Sequence, residues 1–294
     1  MNEKLLSHIS SAICEKAHHS FELSGTSSIS GGSINESFRL EGRDGSRYFL
    51  KLNDARHHAM FAAEAVGLEA ITETGTLRVP RAIAHGHLGN RSYLVLEYLE
   101  LHARGDDRQL GERLAALHRC QNSQFGFTQD NYIGTSLQEN AWTDDWIAFW
   151  REQRLGFQLQ LAAENGYGGA LQILGARLLD ALPVFFEGYS PQPSLLHGDL
   201  WSGNHAYLSG GTPVIFDPAV YYGDRECDLA MTELFGRFNE SFYEAYRSAW
   251  PLHKGYAIRR DLYNLYHMLN HVNLFDGSYA RQAEQTMQKL VELT

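Results

Sequence analysis

The residues best placed to do chemistry lie in the segment HGDLWSGN, residues 197–204, and at Asp217, which ends the apolar stretch PVIF. Phosphoryl transfer needs a carboxylate that accepts the proton of the attacking hydroxyl, and oxygen ligands that hold Mg²⁺ against the phosphates. We therefore predict Asp199 as the catalytic base, with Asn204 and Asp217 as the Mg²⁺ ligands. The alternative is a polar turn between two strands, since short motifs recur by accident. The position of Asp217 at the end of an apolar strand argues against that alternative.

A lysine in a predicted strand is the second candidate. Lys51 ends the run YFLK, and a lysine there can grip the α- and β-phosphates of a nucleotide if a helix glutamate steadies it. Glu64, thirteen residues further on in a predicted helix, is the preferred partner, and Glu69 is the competing one. Taken alone, Lys51 is better explained as an ordinary lysine at the edge of a strand; the order of strand lysine, helix glutamate and HGDLWSGN segment is what favours the phosphate role.

Two backbone features complete a predicted nucleotide site. Gly31, Gly32 and Ser33 lie between two predicted strands, where glycines let backbone N–H groups approach phosphates. Taken alone, these residues are better explained by a glycine-rich hairpin turn. The end of the next apolar strand, at Glu97, Tyr98 and Leu99, is predicted to bind adenine. The carbonyl of Glu97 would accept a hydrogen bond from the base and the N–H of Leu99 would donate one. No G-x-G-x-x-G and no G-x-x-x-x-G-K-[ST] occurs, so neither dinucleotide-binding nor P-loop chemistry is indicated.

Two further side chains have competing interpretations. Trp201, two residues after Asp199, is assigned as a substrate contact because an exposed indole could stack on a sugar or an amine cation; a core tryptophan is the alternative. Asp228 we interpret as a carboxylate at the start of a helix. The alternative for Asp228 is a buried brace beneath the loop that carries Asp199.

The elements that must position these residues form two predicted lobes in an α+β fold. The first lobe, residues 1–98, is small and rich in strands, and the second, residues 99–294, is larger and mostly helical. Periodicity and turn signals place the elements. Helices are predicted at 3–18, 57–74, 107–121, 143–164, 169–187, 224–237, 255–274 and 278–292, and strands within 21–52, near 82–87, near 92–97 and within 194–217.

Composition excludes several classes of function. The chain has 294 residues, with 25 Lys and Arg against 35 Asp and Glu, a formal net charge of −10 that disfavours nucleic-acid binding. Cys14, Cys120 and Cys227 are far apart and odd in number, which is typical of a reducing compartment rather than a disulfide framework. No apolar run approaches the length of a membrane span. We expect a cytoplasmic protein without membrane or nucleic-acid partners; the sequence does not determine the oligomeric state, and a monomer is favoured.

Together these motifs resemble the fructosamine kinase (ketosamine-3-kinase) family of protein-kinase-like small-molecule kinases. The matching phrases run in order through the chain: GGSINESFRL, FLKLN, FAAEAVGLEAI, LVLEYL, NYIGTSLQEN, WTDDWIAFWREQRL, LLHGDLWSGN and FDPAVYYGDRECDLAMTELFGRF.

The resemblance implies a bilobal kinase fold that uses ATP and Mg²⁺ to phosphorylate the sugar 3-hydroxyl of ketosamines on amines or proteins, in glycation repair or catabolism. It also implies Asp199 as base, Lys51 and Glu64 as the phosphate-gripping pair, and Asn204 and Asp217 as metal ligands. The alternatives are a kinase of aminoglycosides or choline, and a catalytically inactive nucleotide-binding module.

Overall fold

The structure, a computed structural model, describes residues 2–30, 34–275 and 278–294. The chain divides into two compact units, one made of residues 1–105 with 206–217 and the other of residues 106–205 with 218–294. The predicted phosphate loop, Gly31, Gly32 and Ser33, lies outside the described residues.

The helices and strands follow in chain order. They are α1 (Glu3–Ala17), β1 (Leu23–Ile29), β2 (Glu36–Gly42), β3 (Arg47–Asp54), α2 (His58–Glu73), β4 (Ala82–Leu88), β5 (Arg91–Glu97), α3 (Asp107–His118), β6 (Asn131–Ile133), β7 (Ser136–Gln138), α4 (Trp146–Trp150), α5 (Phe157–Glu164), α6 (Ala170–Ala181), β8 (Ser194–Leu196), β9 (His205–Tyr207), β10 (Pro213–Ile215), β11 (Tyr221–Gly223), α7 (Glu226–Leu234), α8 (Glu240–Ala249), α9 (Tyr256–Phe275) and α10 (Ser278–Val291). Ala55–His57 and Leu182–Phe186 form 3₁₀ turns, and Arg151–Gly156 is π-helical.

The first unit is built on an antiparallel sheet of five described strands in the order β1-β2-β3-β5-β4. Helix α1 begins where the side chain of Asn2 accepts the N–H of Leu5 at 2.8 Å, and its apolar stripe packs into the core of the sheet. On strand β3, Lys51 lies opposite Ser37 of β2 and Leu94 of β5. Lys51 is therefore on a central strand, which removes the strand-edge interpretation.

Residues 206–217 pack with the first unit although they follow the HGDLWSGN segment in the chain. The N–H of Ile215 on β10 donates to the carbonyl of Arg78 at 3.0 Å, and Tyr207 on β9 exchanges backbone hydrogen bonds with His102 at 2.8 and 2.9 Å. These contacts join residues more than a hundred positions apart. They carry Asp217 into the unit that holds Lys51.

The second unit is mostly helical, and α9 runs through its interior. The predicted helix over 143–164 is wrong in detail: α4 and α5 are separated by the π-helical turn Arg151–Gly156. Helix α8 was missed, although Phe242, Tyr243 and Tyr246 give it a clear apolar face. The short hairpin of β6 and β7 was missed too, because three-residue strands carry almost no periodicity.

A buried histidine on α9 should make stability depend on pH. Burial, with a smaller contribution from His271, lowers the pKa of His267 from 6.5 to about 3. Below pH 6.5 the unfolded chain therefore binds a proton that the folded chain rejects. We therefore expect the free energy of unfolding to be highest above pH 6.5 and to fall as the pH drops toward 3. Between pH 7 and pH 5 the loss from this group should be about 2 kcal/mol.

Denaturant titrations from pH 5 to 8 test this expectation. His267→Met should flatten the pH dependence by about 2 kcal/mol relative to wild type. Leu269→Met, a buried change on the same helix without a titrating group, should shift stability equally at every pH. A wild-type pH dependence retained in His267→Met would contradict the assignment.

In the described part of the chain, no helix combines the length and apolarity needed to cross a lipid bilayer.

Candidate active site

The loop after β8 folds so that the predicted base and one predicted metal ligand are neighbours. The Asn204 side-chain amide donates to the backbone carbonyl of Asp199 at 2.8 Å and to its carboxylate oxygen Oδ2 at 3.3 Å. Trp201 links the two, because its N–H donates to the Asp199 carbonyl and its carbonyl accepts the Asn204 N–H. The spacing of five residues between Asp199 and Asn204 therefore places both side chains on one tight turn.

The loop is held from behind by a buried carboxylate on α7. Asp228 accepts the backbone N–H groups of His197 at 2.7 Å and Gly198 at 2.8 Å, and His118 donates to it at 3.1 Å. Burial raises the pKa of Asp228, but the hydrogen bond from His118 and the electrostatic interactions with His118 and His197 outweigh it and leave the pKa below its usual value. Asp228 does lie in the first turn of α7. The position at the start of a helix is therefore confirmed, and so is the alternative of a buried brace, because both carboxylate oxygens accept hydrogen bonds from the loop.

Gly198 is the position of the loop least able to carry a side chain. Its φ is +83°, and a Cβ there would lie 2.0 Å from the carbonyl oxygen of Ala219. That oxygen cannot retreat freely, because the N–H of Ala219 donates to the His197 carbonyl at 2.8 Å. Glycine is therefore what allows the loop to pass so close to the segment after Asp217.

Replacing Gly198 with alanine should destabilise the protein by more than the left-handed backbone alone costs. We expect a loss of at least about 3 kcal/mol, of which about 1–2 kcal/mol comes from the positive φ and the rest from the clash. Gly210→Ala is the matched control, since Gly210 has φ +87° and nothing within 4 Å of its Cβ position. Equal losses in the two variants, measured by denaturant unfolding, would contradict the close packing of Gly198 on Ala219.

In the first unit, Lys51 bridges two carboxylates. Its ammonium group lies 2.6 Å from Glu64 Oε1 on α2 and 2.6 Å from Asp217 Oδ1. Burial opposes the charge on Lys51, but Asp217 and then Glu64 raise its pKa above the usual value. Burial also opposes the charge of Glu64 and raises its pKa above the usual value, although the positive charge of Lys51 acts to lower it. Of the two candidate partners, Glu64 makes the contact and Glu69 is exposed.

Asp217 combines an uncommon backbone conformation with a partly exposed carboxylate. Its φ is 58°, a left-handed conformation that is uncommon outside glycine and often found at functional sites. Although Lys51 is buried, the side chain of Asp217 is 45% exposed. A carboxylate held on one side and open on the other fits a cation.

Asn204, unlike Asp217, is buried and is held in one orientation. The side chain is 6% exposed, and its Nδ2 is committed to Asp199. That commitment fixes which end of the amide is the oxygen. Mg²⁺ is bound in proteins through oxygen ligands, and Asp217 and Asn204, each taken within its own unit, carry a side-chain oxygen of that kind.

The tryptophans divide between surface and core. Trp201 is 36% exposed and folds over Gly203, where a Cβ would lie 2.3 Å from the indole ring. Its ring lies edge-on to that of Phe235, with 6.4 Å between the ring centres. Because the Trp201 side chain is exposed, the alternative of a core tryptophan is wrong. Trp146 and Trp150 are buried in the second unit.

The segment predicted to bind adenine lies at the carboxyl end of β5, in the sheet of the first unit. The Glu97 side chain pairs with Arg78 at 2.6 Å and accepts the N–H of Arg81 at 3.2 Å. The Arg47 guanidinium lies 4.9 Å from the ring centre of Tyr98, and Leu99 is half-buried. Both Glu97 and Tyr98 thus have structural partners, and the adenine role of this backbone stays a prediction.

Comparison with known proteins decides the family. Residues 5–293 match the family model described as "Fructosamine kinase". The chain belongs to the fructosamine kinase family. This confirms the resemblance found in the motifs, over nearly the whole chain.

Relatives in the fructosamine kinase family cover almost all of this member. A "probable ketoamine kinase" from Synechocystis is 47% identical over 97% of this chain and 96% of its own. A chloroplastic "protein-ribulosamine 3-kinase" from Arabidopsis thaliana is 44% identical over 87% of this chain and 79% of its own.

Solved structures confirm the predicted fold class. A Haemophilus somnus protein named "putative fructosamine-3-kinase" superposes with a TM-score of 0.87 at 28% identity, covering 96% of both chains. Choline kinase LicA from Streptococcus pneumoniae gives a TM-score of 0.64 at 14% identity over 99% of this chain and all of its own, a likeness of fold alone. This fructosamine kinase family member has the fold of the protein-kinase-like small-molecule kinases.

Proposed function

We propose that this protein transfers the γ-phosphoryl group of ATP to the 3-hydroxyl of a ketosamine, a ketose joined to an amine, as a step in repair or catabolism of glycated amines. The observation that carries the proposal is the turn in which Asn204 binds both the carbonyl and the carboxylate of Asp199. The printed names of the relatives, ketoamine kinase and protein-ribulosamine 3-kinase, support the class of acceptor.

In the proposed mechanism Asp199 acts on the acceptor. Its carboxylate orients the 3-hydroxyl and accepts its proton as the oxygen attacks phosphorus. The Asn204 amide limits the rotation of that carboxylate, and Asp228 fixes the loop through the backbone of residues 197 and 198. Positioning of this kind is the main contribution a protein makes to phosphoryl transfer.

Lys51 acts on the donor in this proposal. Glu64 keeps the Lys51 ammonium charged and directed, so that it can bind the α- and β-phosphates of ATP. Asp217 and Asn204 are the residues that would hold Mg²⁺, which when bound neutralises phosphate charge. The roles of Gly31, Gly32 and Ser33 at the phosphates stay predictions.

The amine part of the acceptor has a candidate contact near the base. Trp201 presents an exposed indole two positions after Asp199, and Phe235, His271 and Tyr279 extend this aromatic surface, with ring centres of successive neighbours 4.5 to 6.4 Å apart. Aromatic faces attract alkylammonium groups by about 0.5–2 kcal/mol. We propose that this surface binds the amine of the ketosamine.

The proposal predicts a strong preference for ketosamines over free sugars. The kcat/KM for N-ribulosyl- or N-fructosyl-lysine should exceed that for the free ketose by at least about tenfold, because the free sugar lacks the amine whose binding energy orients the hydroxyl. Coupled ADP release, with mass spectrometry for one added phosphate, measures both. Turnover of kanamycin or choline with none of any ketosamine would overturn the substrate class. No nucleotide turnover with any acceptor would overturn the enzyme assignment.

The cytoplasmic location and the monomeric state expected from the sequence stay predictions.

A further inference from the structure

The hairpin of β6 and β7 carries a group of buried amides that the proposed chemistry does not use. Asn131, Gln138 and Asn140 belong to the NYIGTSLQEN segment and are 5%, 1% and 1% exposed. Buried amides are expensive unless every donor and acceptor is satisfied. Their hydrogen bonds therefore show what the segment is built to hold.

A buried cation lies at one end of this group. Arg154 is 0% exposed, in the π-helical turn Arg151–Gly156, and among the described residues no carboxylate lies within 4.0 Å of it. Its guanidinium donates to the carbonyls of Glu139 and Gln153 and to the Asn140 side-chain oxygen at 2.6–2.8 Å. The rings of Tyr221 and Phe149 cover its faces at 4.1 and 4.5 Å. A π-turn often marks a functional position.

Arginine has donors only, so it fixes which way each amide points. Because Arg154 takes the oxygen of Asn140, the Asn140 Nδ2 donates onward to Asn131 Oδ1 at 3.0 Å. Because Asn131 Oδ1 is thereby fixed as an acceptor, Gln138 directs its Nε2 to the same oxygen at 2.7 Å, and Gln138 Oε1 accepts from the Tyr266 hydroxyl. Asn131 is left to donate through its own Nδ2.

The remaining N–H donors of Asn131 and Gln138 bind backbone carbonyls next to the loop that carries Asp199. Asn131 Nδ2 donates to the carbonyl of Val220 at 2.7 Å, and Gln138 Nε2 donates to the carbonyl of Ala219 at 3.1 Å. Ala219 is the residue whose N–H binds the His197 carbonyl and whose oxygen limits Gly198. An unbroken line of hydrogen bonds thus connects Arg154 to the residues beside Asp199.

We propose that Arg154 is a positioning residue: it sets the donor and acceptor directions of the Asn140–Asn131–Gln138 relay, which holds residues 219–220 and through them the loop of Asp199. The proposal rests on the proposed function only for its kinetic readout. A purely structural Arg154 would affect activity only as far as it affects stability.

Asn140→Asp separates positioning from stability. The new carboxylate can still accept from Arg154 and now neutralises its charge, but it also faces the Gln129 carbonyl and Asn131 Oδ1, to which the wild-type amide donates. These two effects oppose each other, so the melting temperature should stay near that of wild type. A carboxylate cannot donate to Asn131, so the relay is broken. We expect kcat to fall by about 10–100-fold, the usual cost of a small misplacement of catalytic groups, with KM for ATP changed by less than about threefold.

Leu155→Ala is the matched control for stability, because Leu155 is a buried neighbour of Arg154 outside the relay. It should lower the melting temperature and leave kcat unchanged well below melting. Arg154→Met should lower both. If Asn140→Asp keeps wild-type stability and a kcat within about threefold of wild type, the proposal is wrong. If its melting temperature falls as in Leu155→Ala while kcat well below melting stays at the wild-type value, the proposal is also wrong.

Hydrogen exchange gives a readout that does not need the substrate. In Asn140→Asp the amides of residues 197–204 should exchange faster than in wild type, while Leu155→Ala leaves them unchanged relative to the rest of its unit. A wild-type protein that phosphorylates no ketosamine would contradict the proposed function, and the exchange result would still decide the relay. Unchanged exchange in Asn140→Asp would overturn the relay whatever the activity.

Discussion

Replacing Asp199 with asparagine should lower kcat by about 10²–10⁴-fold, the usual contribution of general-base catalysis. Asparagine keeps the shape of the side chain and can still lie against Asn204, but it cannot accept the proton of the attacking hydroxyl. ATP binding should stay near normal, because the phosphate-gripping role is assigned to Lys51.

Steady-state kinetics with a ketosamine and a calorimetric titration with ATP measure the two effects. Asp180→Asn, an exposed change on α6 of the same unit, should leave both kcat and ATP affinity unchanged. Activity of Asp199→Asn within a few-fold of wild type would remove Asp199 from the role of base. Loss of the folded state would make Asp199 a structural residue instead.

Lys51→Met should lower kcat/KM for ATP by about 10²–10³-fold, the cost of removing one preorganised charge from a phosphoryl-transfer site. The variant leaves Glu64 and Asp217 without the cation that both of them contact at 2.6 Å. Methionine fills a similar volume, so the central strand can keep its packing.

Initial rates over a range of ATP concentrations measure this effect. Lys16→Met, which removes an exposed lysine of α1 in the same unit, should change neither kcat nor KM. Glu64→Gln keeps a hydrogen-bond acceptor for Lys51 without the charge, so it should produce a smaller loss than Lys51→Met. A kcat/KM for Lys51→Met within about threefold of wild type would exclude Lys51 from the phosphate site.

Local patterns were enough to predict most elements of the fold. The three strands within 21–52, the helices near α1, α2, α9 and α10, and the pairing of Lys51 with a helix glutamate all follow from periodicity and spacing. The preference for Glu64 over Glu69 is confirmed by the contact with Lys51, and it agrees with the helix pattern, since Glu64 falls three residues from Phe61 and four from Leu68, on the buried face of α2.

Long-range contacts account for what the sequence did not predict. Asp228 meets its loop partners across 30 and 31 residues, so its identity as a brace depends on tertiary packing. Residues 206–217 join the first unit through isolated β-bridges to Arg78 and His102. No local sequence pattern predicts these bridges. The π-helical turn that buries Arg154 interrupts a segment whose apolar pattern is typical of one continuous helix.

The position of the phosphate in the product tests the central claim most directly. Wild-type protein, N-ribulosyl- or N-fructosyl-lysine, ATP and Mg²⁺ are incubated together, and the purified product is examined by phosphorus–proton correlation NMR. The account predicts one phosphate, on the oxygen of carbon 3 of the ketosamine, and no such product with Asp199→Asn over the same time. A phosphate on another hydroxyl, or an unmodified ketosamine while another alcohol is phosphorylated, would contradict it.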